Sequence, residues 1–490
     1  MNNLICLNEL KNLVRERLLW LMVAVTVCFT ALACYNGYQW AALQSEVISN
    51  AGQEQQQAIS HAQQTLAARE ALTSPVNWWD DIHDLRGQAF YLMVNYATKP
   101  PLPTALTAIG QSDVQPYFFR MLVSEKQAFI NQYDYVHPLG LLIGKFDLAF
   151  FAIYILPLLL ISSGFNALAQ EKQSGQLQLL MLQGLSPLRL LFNQLCIRSC
   201  VILVPFFAVS LAALMFFSEG ITALSLTVFI ALVLGYAAFW LALSALVISL
   251  GNTSAYNAAV LTIAWLGFVI IFPSVLNTAI VTANTAPSRI EYVDTLRDKS
   301  DDADKASSQV LAQFFQDHPE LAKNNDPVKP VDYASKKIAK ITAIETAMQP
   351  YDDAFQAVLM AQQNRVEQFK FISPATLLQQ ALFDLSGNGL KRHQDFIEQV
   401  LQHHQALRTF FQRRIVSAHQ QGDFTPCSGC NADITLPDLT PIPEFHYREQ
   451  AVVPPWSSLL SLWALAGLFI FLAVFRLTKM NRGQINGALV

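Results

Sequence analysis

Charge is what this sequence has least of. Only 14% of its 490 residues are Asp, Glu, Lys or Arg, against about 25% in ordinary soluble domains. Hydrophobic residues make up 53%, and the mean hydropathy is +0.31. A soluble globular chain is thereby disfavoured and a membrane protein expected. The formal net charge of −4 supplies no positive field, so no nucleic acid partner is expected. Catalytic signatures are missing as well. The chain has no HExxH, no GxSxG, no GxGxxG following a strand and no GxxxxGKS/T. Metalloprotease, hydrolase, dinucleotide and P-loop chemistry are therefore not expected of it, nor is enzymatic activity of the chain by itself. No repeat of fixed period and few alternating segments occur, which argues against a propeller or solenoid.

Long uncharged runs are what the sequence does have. They lie between Arg17 and Glu46, Asp147 and Glu171, Arg198 and Glu219, and Glu449 and Arg476, and nothing from Glu219 to Arg289 is charged. A helix needs about 20 apolar residues to cross the hydrocarbon core. LGNTSAYN, Leu250 to Asn257, supplies turn chemistry to divide the longest interval. The expected class is an all-α membrane protein with six transmembrane helices at 18–40, 146–168, 195–218, 222–249, 256–280 and 457–476. The first run is too long for a signal h-region and lacks a small-residue cleavage site, so it reads as a retained helix. Lys11, Arg15 and Arg17 precede it, Lys172 and Arg189 lie between the second and third runs, and Arg476, Lys479 and Arg482 end the chain. By the positive-inside rule those flanks, the 477–490 tail and both termini are cytoplasmic. The inserts 41–145 and 281–455 then face outward as a mainly helical body.

Within the first insert, Ser45 to Leu72 lacks proline and reads as a helix continuing out of the first span, whereas Lys99 to Tyr117 reads as an ordered irregular loop. In the second, helices are expected over IEYVDTLRDKSDDADKASSQVLAQFFQDH, VDYASKKIAKITAIETAMQ, PYDDAFQAVLMAQQNRVEQFKF and KRHQDFIEQVLQHHQALRTFFQRRIVSAHQQ. Leu311, Phe314, Phe315, Leu377, Phe383, Phe410 and Phe411 are expected to supply the surface on which the two inserts join. FISPATLLQQALFDLSGNG, Phe371 to Gly389, carries an N-cap signal in Ser373-Pro374 and an apolar face of Phe371, Leu377, Leu378, Ala381 and Leu382. It reads either as an internal packing helix of the outer domain or as one lying at the membrane interface.

Cys6, Cys28, Cys34, Cys196 and Cys200 lie in or near apolar runs and read as small apolar residues. Cys427 and Cys430, in TPCSGCNAD, fall in an outward insert, where a CxxC most often closes a local disulfide. A metal site is the weaker alternative, with His419 and His446 as the further ligands. The thioredoxin-like reading needs the motif to open a helix after a strand, and Pro and Gly surround it instead. The QHHQ pair His403–His404 reads as a solvated helix face.

The remaining segment, AQEKQSGQLQLLMLQGLSPLRLL over residues 169 to 191, is too polar to span and too regular to be slack. It reads as a short amphipathic helix lying on the membrane surface or on a partner protein, with Glu171 and Lys172 as polar contacts and a comb of leucines as anchor. Ser186 and Pro187 would cap the next helix, and Arg198 must snorkel or find a partner. This segment resembles the cytoplasmic coupling segment of ABC-2 type transporter permeases, with Gln173-Ser174-Gly175-Gln176 standing where Gln-Gly-Thr is commoner. LNELKNLVRERLLWLMV is similar to that family's N-terminal interfacial helix and first span; it places Leu4, Leu7, Leu10, Val14 and Leu18 on one side, with the interfacial part over 1–17. PPLPTALTAIGQSDVQPYFFRM, GKFDLAFFAIYILPLLLISSGFNALAQEKQSG and FISPATLLQQALFDLSGNG…RHQDF are similar to a subgroup with two large periplasmic inserts. That subgroup carries a domain of unknown function and is related to permeases grouped with multicopper-enzyme maturation.

The resemblance implies a permease subunit in the bacterial inner membrane. Two copies of a P-loop ABC ATPase would bind ATP and Mg, with no cofactor in this chain, beside a second permease subunit, identical or paralogous, and membrane lipids. The coupling region is 169–194, and Glu171, Lys172, Gly175, Leu177, Leu180 and Leu182 are its expected ATPase-contact residues. No intramembrane acidic residue offers a cation or proton relay, which favours an amphipathic, lipidic or peptide cargo over a metal ion. Two other readings stand beside export. One is ATP-driven transmission of motion to periplasmic partners without cargo, and the other is a membrane-tethered sensor or scaffold.

Overall fold

A computed structural model describes residues 9, 15, 17–67, 77, 79–82, 84–124, 126, 129, 145–182, 185–250, 253–317, 333–420, 442–450 and 454–487. Helix α1, Arg17–Ala67, leaves the bundle without a break and runs into the first insert. Proline-free, Ala- and Gln-rich sequence after Gly37 permits that continuity. A two-stranded antiparallel pair follows, β1 (Asn95–Thr98) with β2 (Phe118–Met121), in the register Asn95↔Met121. It was not legible in the sequence, since four residues are too few for alternation to register.

The membrane-type helices come next. They are α2 (Leu148–Gly164), the short pair α3 (Ala169–Gln173) and α4 (Gln176–Leu182), then α5 (Pro187–Phe217), α6 (Ala223–Ile248) and α7 (Ser254–Ala283). The second insert contains α8 (Arg289–Lys305), α9 (Ser307–Asp317), α10 (Tyr333–Phe369), α11 (Pro374–Ser386) and α12 (Leu390–Gln420), before α13 (Trp456–Gly487) closes the chain. Among the described residues five helices are long and apolar enough to cross a membrane: Arg17–Thr65, Pro187–Phe217, Ala223–Ile248, Ser254–Ala283 and Trp456–Lys479. The shorter α2 spans about 25 Å at 1.5 Å per residue, less than a full hydrocarbon core of about 30 Å.

Helix α6 is the axis of the bundle. Phe229, Tyr236, Phe239 and Trp240 are fully buried on it, packed with Phe151 of α2, Phe206 of α5 and Leu462 and Ala466 of α13. Gly235 lets α13 approach, since a Cβ there would stand 3.0 Å from the Trp463 ring nitrogen, and that indole donates to the Ala231 carbonyl at 3.1 Å. Two π-turns interrupt the bundle, Phe151–Ile155 in α2 and Leu266–Ile271 in α7. Neighbouring side chains serve carbonyls in and beside these turns. Tyr236 donates to Ile153 at 2.9 Å, Trp265 to Tyr154 at 3.1 Å and Ser373 to Phe268 at 2.5 Å.

Both inserts share their cores. Leu85, Phe90 and Val123 of the first pack with Leu311, Phe314, Ile338, Leu407 and Phe411 of the second. Ala97, Phe119 and Met121 of the β pair and Phe129 pack with Phe396 and Val400 of α12. Of the expected joining residues, Leu311, Phe314, Phe410 and Phe411 lie in this shared core, while Leu377 and Phe383 belong to the bundle core; the Phe315 side chain lies outside the described residues. Glu345 of α10 accepts from the Lys126 backbone at 2.9 Å and pairs with Arg408 of α12, so one carboxylate ties three segments. The expected helix 290–318 is two, parted at Ala306, while Pro350 does not break α10. Pro350 is exposed, so water can serve the carbonyl it leaves unpaired, and Ile344 and Met348 before it are buried against Tyr292 and Ala303 of α8.

Helix α11 is an internal packing helix, but it packs into the bundle and not within the outer domain. Ser373 caps it, accepting from Thr376 N at 3.3 Å, with Pro374 in its first turn, and Gly387 ends it at φ +74°. Leu377, Leu378, Ala381, Leu382 and Leu385 are buried in the bundle core, whereas Phe371 stays exposed. The irregular loop of the first insert lies on the end of α11. Asn388 donates to Ala108 O at 2.7 Å, Thr104 to Leu385 O at 2.5 Å, and Asp147, which also caps α2, accepts from Ile109 N at 2.8 Å. Loop and helix together roof one end of the bundle. The chain enters α2 at the roof and leaves it toward α3 and α4, so that hairpin lies at the other end.

Candidate functional site

The hairpin begins with strain that its neighbours hold. Leu168 has φ +59°, the sole positive φ among the described residues other than glycine. The Gln194 side chain of α5 fixes it, accepting from Leu168 N at 3.1 Å while donating to Glu171 Oε1 at 2.5 Å. One amide therefore holds both the turn and the first acidic residue of α3. Gly175 joins α3 to α4 at φ +74° with no neighbour within 4 Å, so its requirement is conformational and not steric.

Helix α4 has two faces. Leu177 and Leu180 pack against Leu190, Leu191 and Leu195 of α5, Ala245 and Ile248 of α6, and Ala473 and Leu477 of α13. Leu179 points away and is 61% exposed, flanked by exposed Gln176 and Gln178. The leucine comb is thus mainly an inward anchor. Lys172 is exposed, Glu171 is half-buried, and the Leu182 side chain lies outside the described residues. A partner meeting this hairpin would touch Lys172, Gln173, Gly175 and Leu179 first. Ser186 accepts from Arg189 N at 3.3 Å, and Pro187 opens α5, as the Ser-Pro pair implies.

Below the hairpin, Arg198 is buried and paired. Its guanidinium meets Glu9 Oε1 at 2.9 Å, donates to Ser163 O at 3.0 Å and to Asn166 Oδ1 at 2.6 Å. This single side chain connects α5, the end of α2 and the N-terminal segment. Sequence reading required a partner for Arg198 and did not name Glu9; the lone acid in the first 15 residues was the available signal. Gln194 and Asn166 carried no signal, being neutral polar residues whose roles appear only in contact. Among the residues expected on the apolar side of the N-terminal helix, Leu4, Leu7, Leu10 and Val14 lie outside the described residues, and Leu18 is exposed.

Cys427 and Cys430 lie outside the described residues, as does the side chain of His419, while His446 is exposed and 3.9 Å from Glu444. Among the described residues no group of three or more His, Cys, Asp or Glu could hold a metal ion. The QHHQ reading is corrected. His404 is 2% exposed and lies over Phe129, ring centroids 4.9 Å apart, and His403 packs on Phe445. Burial pulls the His404 imidazole down to about 4, with Arg408 adding to the same direction.

Long apolar helices around a buried aromatic core define a multi-pass, mainly helical membrane protein. Residues 289–425 match the family model described as Domain of unknown function (DUF3526), which covers most of the second insert. No curated protein matches the chain.

Proposed function

We propose that this chain is the transmembrane permease subunit of an ABC-2 type ABC transporter, an exporter driven by a separate ATPase. The observation that carries the reading is the hairpin α3–α4. It stands at the end of the bundle opposite the inserts, anchored inward by Leu177 and Leu180 and presenting Lys172 to Leu179 outward. A push on that surface passes through Leu177 and Leu180 into α5, α6 and α13 at once. In this reading α2 counts as a sixth span, both termini are cytoplasmic, and the inserts form a periplasmic body on a bacterial inner membrane. Two ATPase copies bind ATP and Mg, and a second permease subunit, identical or paralogous, completes the assembly. ATP would close the ATPase pair and shift the hairpins, switching access along a path between subunits.

A second reading has a specific observation in its favour. The bundle interior is filled by Phe151, Phe206, Tyr236 and Trp240, and the roof binds the insert body to the same core. Such a subunit can transmit motion from hairpin to inserts with no cargo passing.

Purification of the tagged chain from its native membrane tests the common premise. A P-loop ATPase should accompany it, and the isolated polypeptide should hydrolyse no ATP. Robust hydrolysis by the chain alone, or an ATPase partner unaffected by Leu179→Asp with Lys172→Glu, would defeat the hairpin assignment. Cargo movement in reconstituted vesicles then separates export from transmission.

A further inference from the structure

A cavity of about 430 Å³ lies where the insert body meets the bundle, between the end of α10, the ends of α11 and α12 that face each other, and the first turn of α13. Its charges are unequally committed. Arg392 and Glu449 form a two-bond pair at 2.6 and 2.7 Å. Asp395 accepts from Tyr447 at 3.0 Å, Gln399 at 2.9 Å and Gln450 at 2.5 Å. Glu367 serves two lysines, Lys370 closely at 2.7 Å and Lys391 loosely at 3.6 Å.

Two groups are held less tightly. Lys391 shares its only carboxylate among the described residues and is 62% exposed. Asp384 lines the same cavity, within electrostatic reach of Lys391 and Lys370 but without a direct hydrogen bond or ion pair to a described side chain. Gly389 lies against it, since a Cβ there would stand 2.7 Å from Asp384 Oδ1. Burial pushes the Asp384 carboxyl up, partly offset by Lys391. A loosely paired cation and a carboxylate with no direct hydrogen bond in one cavity offer both signs to a ligand.

The rim says where that ligand comes from. Trp456 and Ser457 belong to the first turn of an apolar helix long enough to cross a membrane. Tryptophan at such an end sits at headgroup level. Beside Lys370 and Trp456, the side chains of Phe369, Phe371, Ile372 and Leu460 are exposed. Charged cavity and apolar rim are adjacent, as an amphiphile requires.

We propose that this cavity binds the phosphoethanolamine headgroup of a phospholipid, the amine against Asp384 and the phosphate against Lys391. Acyl chains leave over Phe371 and Leu460. The proposal stands apart from the ATPase reading and needs only the membrane position of α13.

The test is native mass spectrometry of the delipidated full chain in detergent, titrated with phosphatidylethanolamine, phosphatidylglycerol, phosphatidylcholine and free O-phosphoethanolamine. Phosphatidylethanolamine should bind in preference to the other two lipids, and both Asp384→Asn and Lys391→Gln should weaken it about tenfold, the loss of one charged hydrogen bond. Lys391 is exposed, so its variant probes binding without threatening the fold. Equal affinity for phosphatidylglycerol, or phosphatidylethanolamine binding unchanged in both variants, would overturn the headgroup assignment. Free O-phosphoethanolamine binding as tightly as the lipid would overturn the lipid source.

Discussion

The two ends of the bundle are closed by opposite means. At the roof, many modest contacts cooperate: Asn388 to Ala108, Thr104 to Leu385, Asp147 to Ile109 and the burial of Leu106 and Ala108. At the hairpin end, Arg198 and Gln194 carry most of the polar connections. Distributed contacts make a surface that moves as one piece with the core. Concentrated contacts leave the segment between them free to yield, and Leu179 on the hairpin's outer face is 61% exposed.

The contrast breaks first at Arg198. Arg198→Ala leaves the largely enclosed Glu9, 12% exposed, without its counter-ion, and should cost about 3 kcal/mol, read as a lower unfolding temperature of the purified protein. A loss under about 1 kcal/mol would mean that the charge pair is solvated and the hairpin base is not concentrated at all. Next comes the roof. A Cβ at Gly37 would stand 2.4 Å from the Leu106 carbonyl oxygen, so Gly37→Ala should cost about 1–3 kcal/mol by displacing backbone. Cross-linking between residues 37 and 106 positions would show whether the loop lifts as a unit.

Acidification sharpens the comparison by acting on the insert body. His393 and His404 are held down to about 3 and about 4 by burial, with Lys99 and Arg408 respectively adding to it. An unfolded histidine takes its proton near pH 6.5 while these two do not, so the unfolded chain binds more protons as pH falls from 6.5 toward 4 and stability is lost over that window. Asp384, raised by burial, works the other way nearer the carboxylate range. Lys99, lowered to about 7 by burial and Arg392, adds stability that grows between pH 7 and 10.5. Hydrogen exchange at pH 5 and 7 should therefore show the inserts loosening before the bundle, and equal change in both would refute the assignment. The smallest effect on stability belongs to Leu179→Asp, expected within about 0.5 kcal/mol because the side chain is exposed, with loss of the ATPase partner as its readout.

What the sequence disclosed follows the range of each interaction. Charge gaps located α1, α5, α6, α7 and α13, because hydropathy is a property of the segment itself. Ser186-Pro187 and Ser373-Pro374 announced two helix starts, because a cap acts within one turn. Leu177 and Leu180, two of the expected contact residues of the hairpin, point inward. An amphipathic pattern tells which residues share a face and not what that face meets. His404 reads as solvated until Phe129, far away in sequence, is laid over it. Asp384 carries no signal in the sequence, since the cavity it lines is assembled from several helices.

The π-turn in α2 has a consequence for chain length. A π-turn closes over five residues where an α-turn closes over four, so Phe151–Ile155 holds one residue beyond what a regular helix needs. Leu148 before it and Leu156 and Leu160 after it already face the core together. Deleting one residue inside the turn would leave both flanks on their present faces, and would remove acceptor positions for Tyr236 and Trp265. The same deletion three residues beyond Leu156 would swing Leu160 and Ile161 by about 100° out of the core. The shortest apolar helix of the bundle thus holds a place where the chain can lose a residue and keep its register.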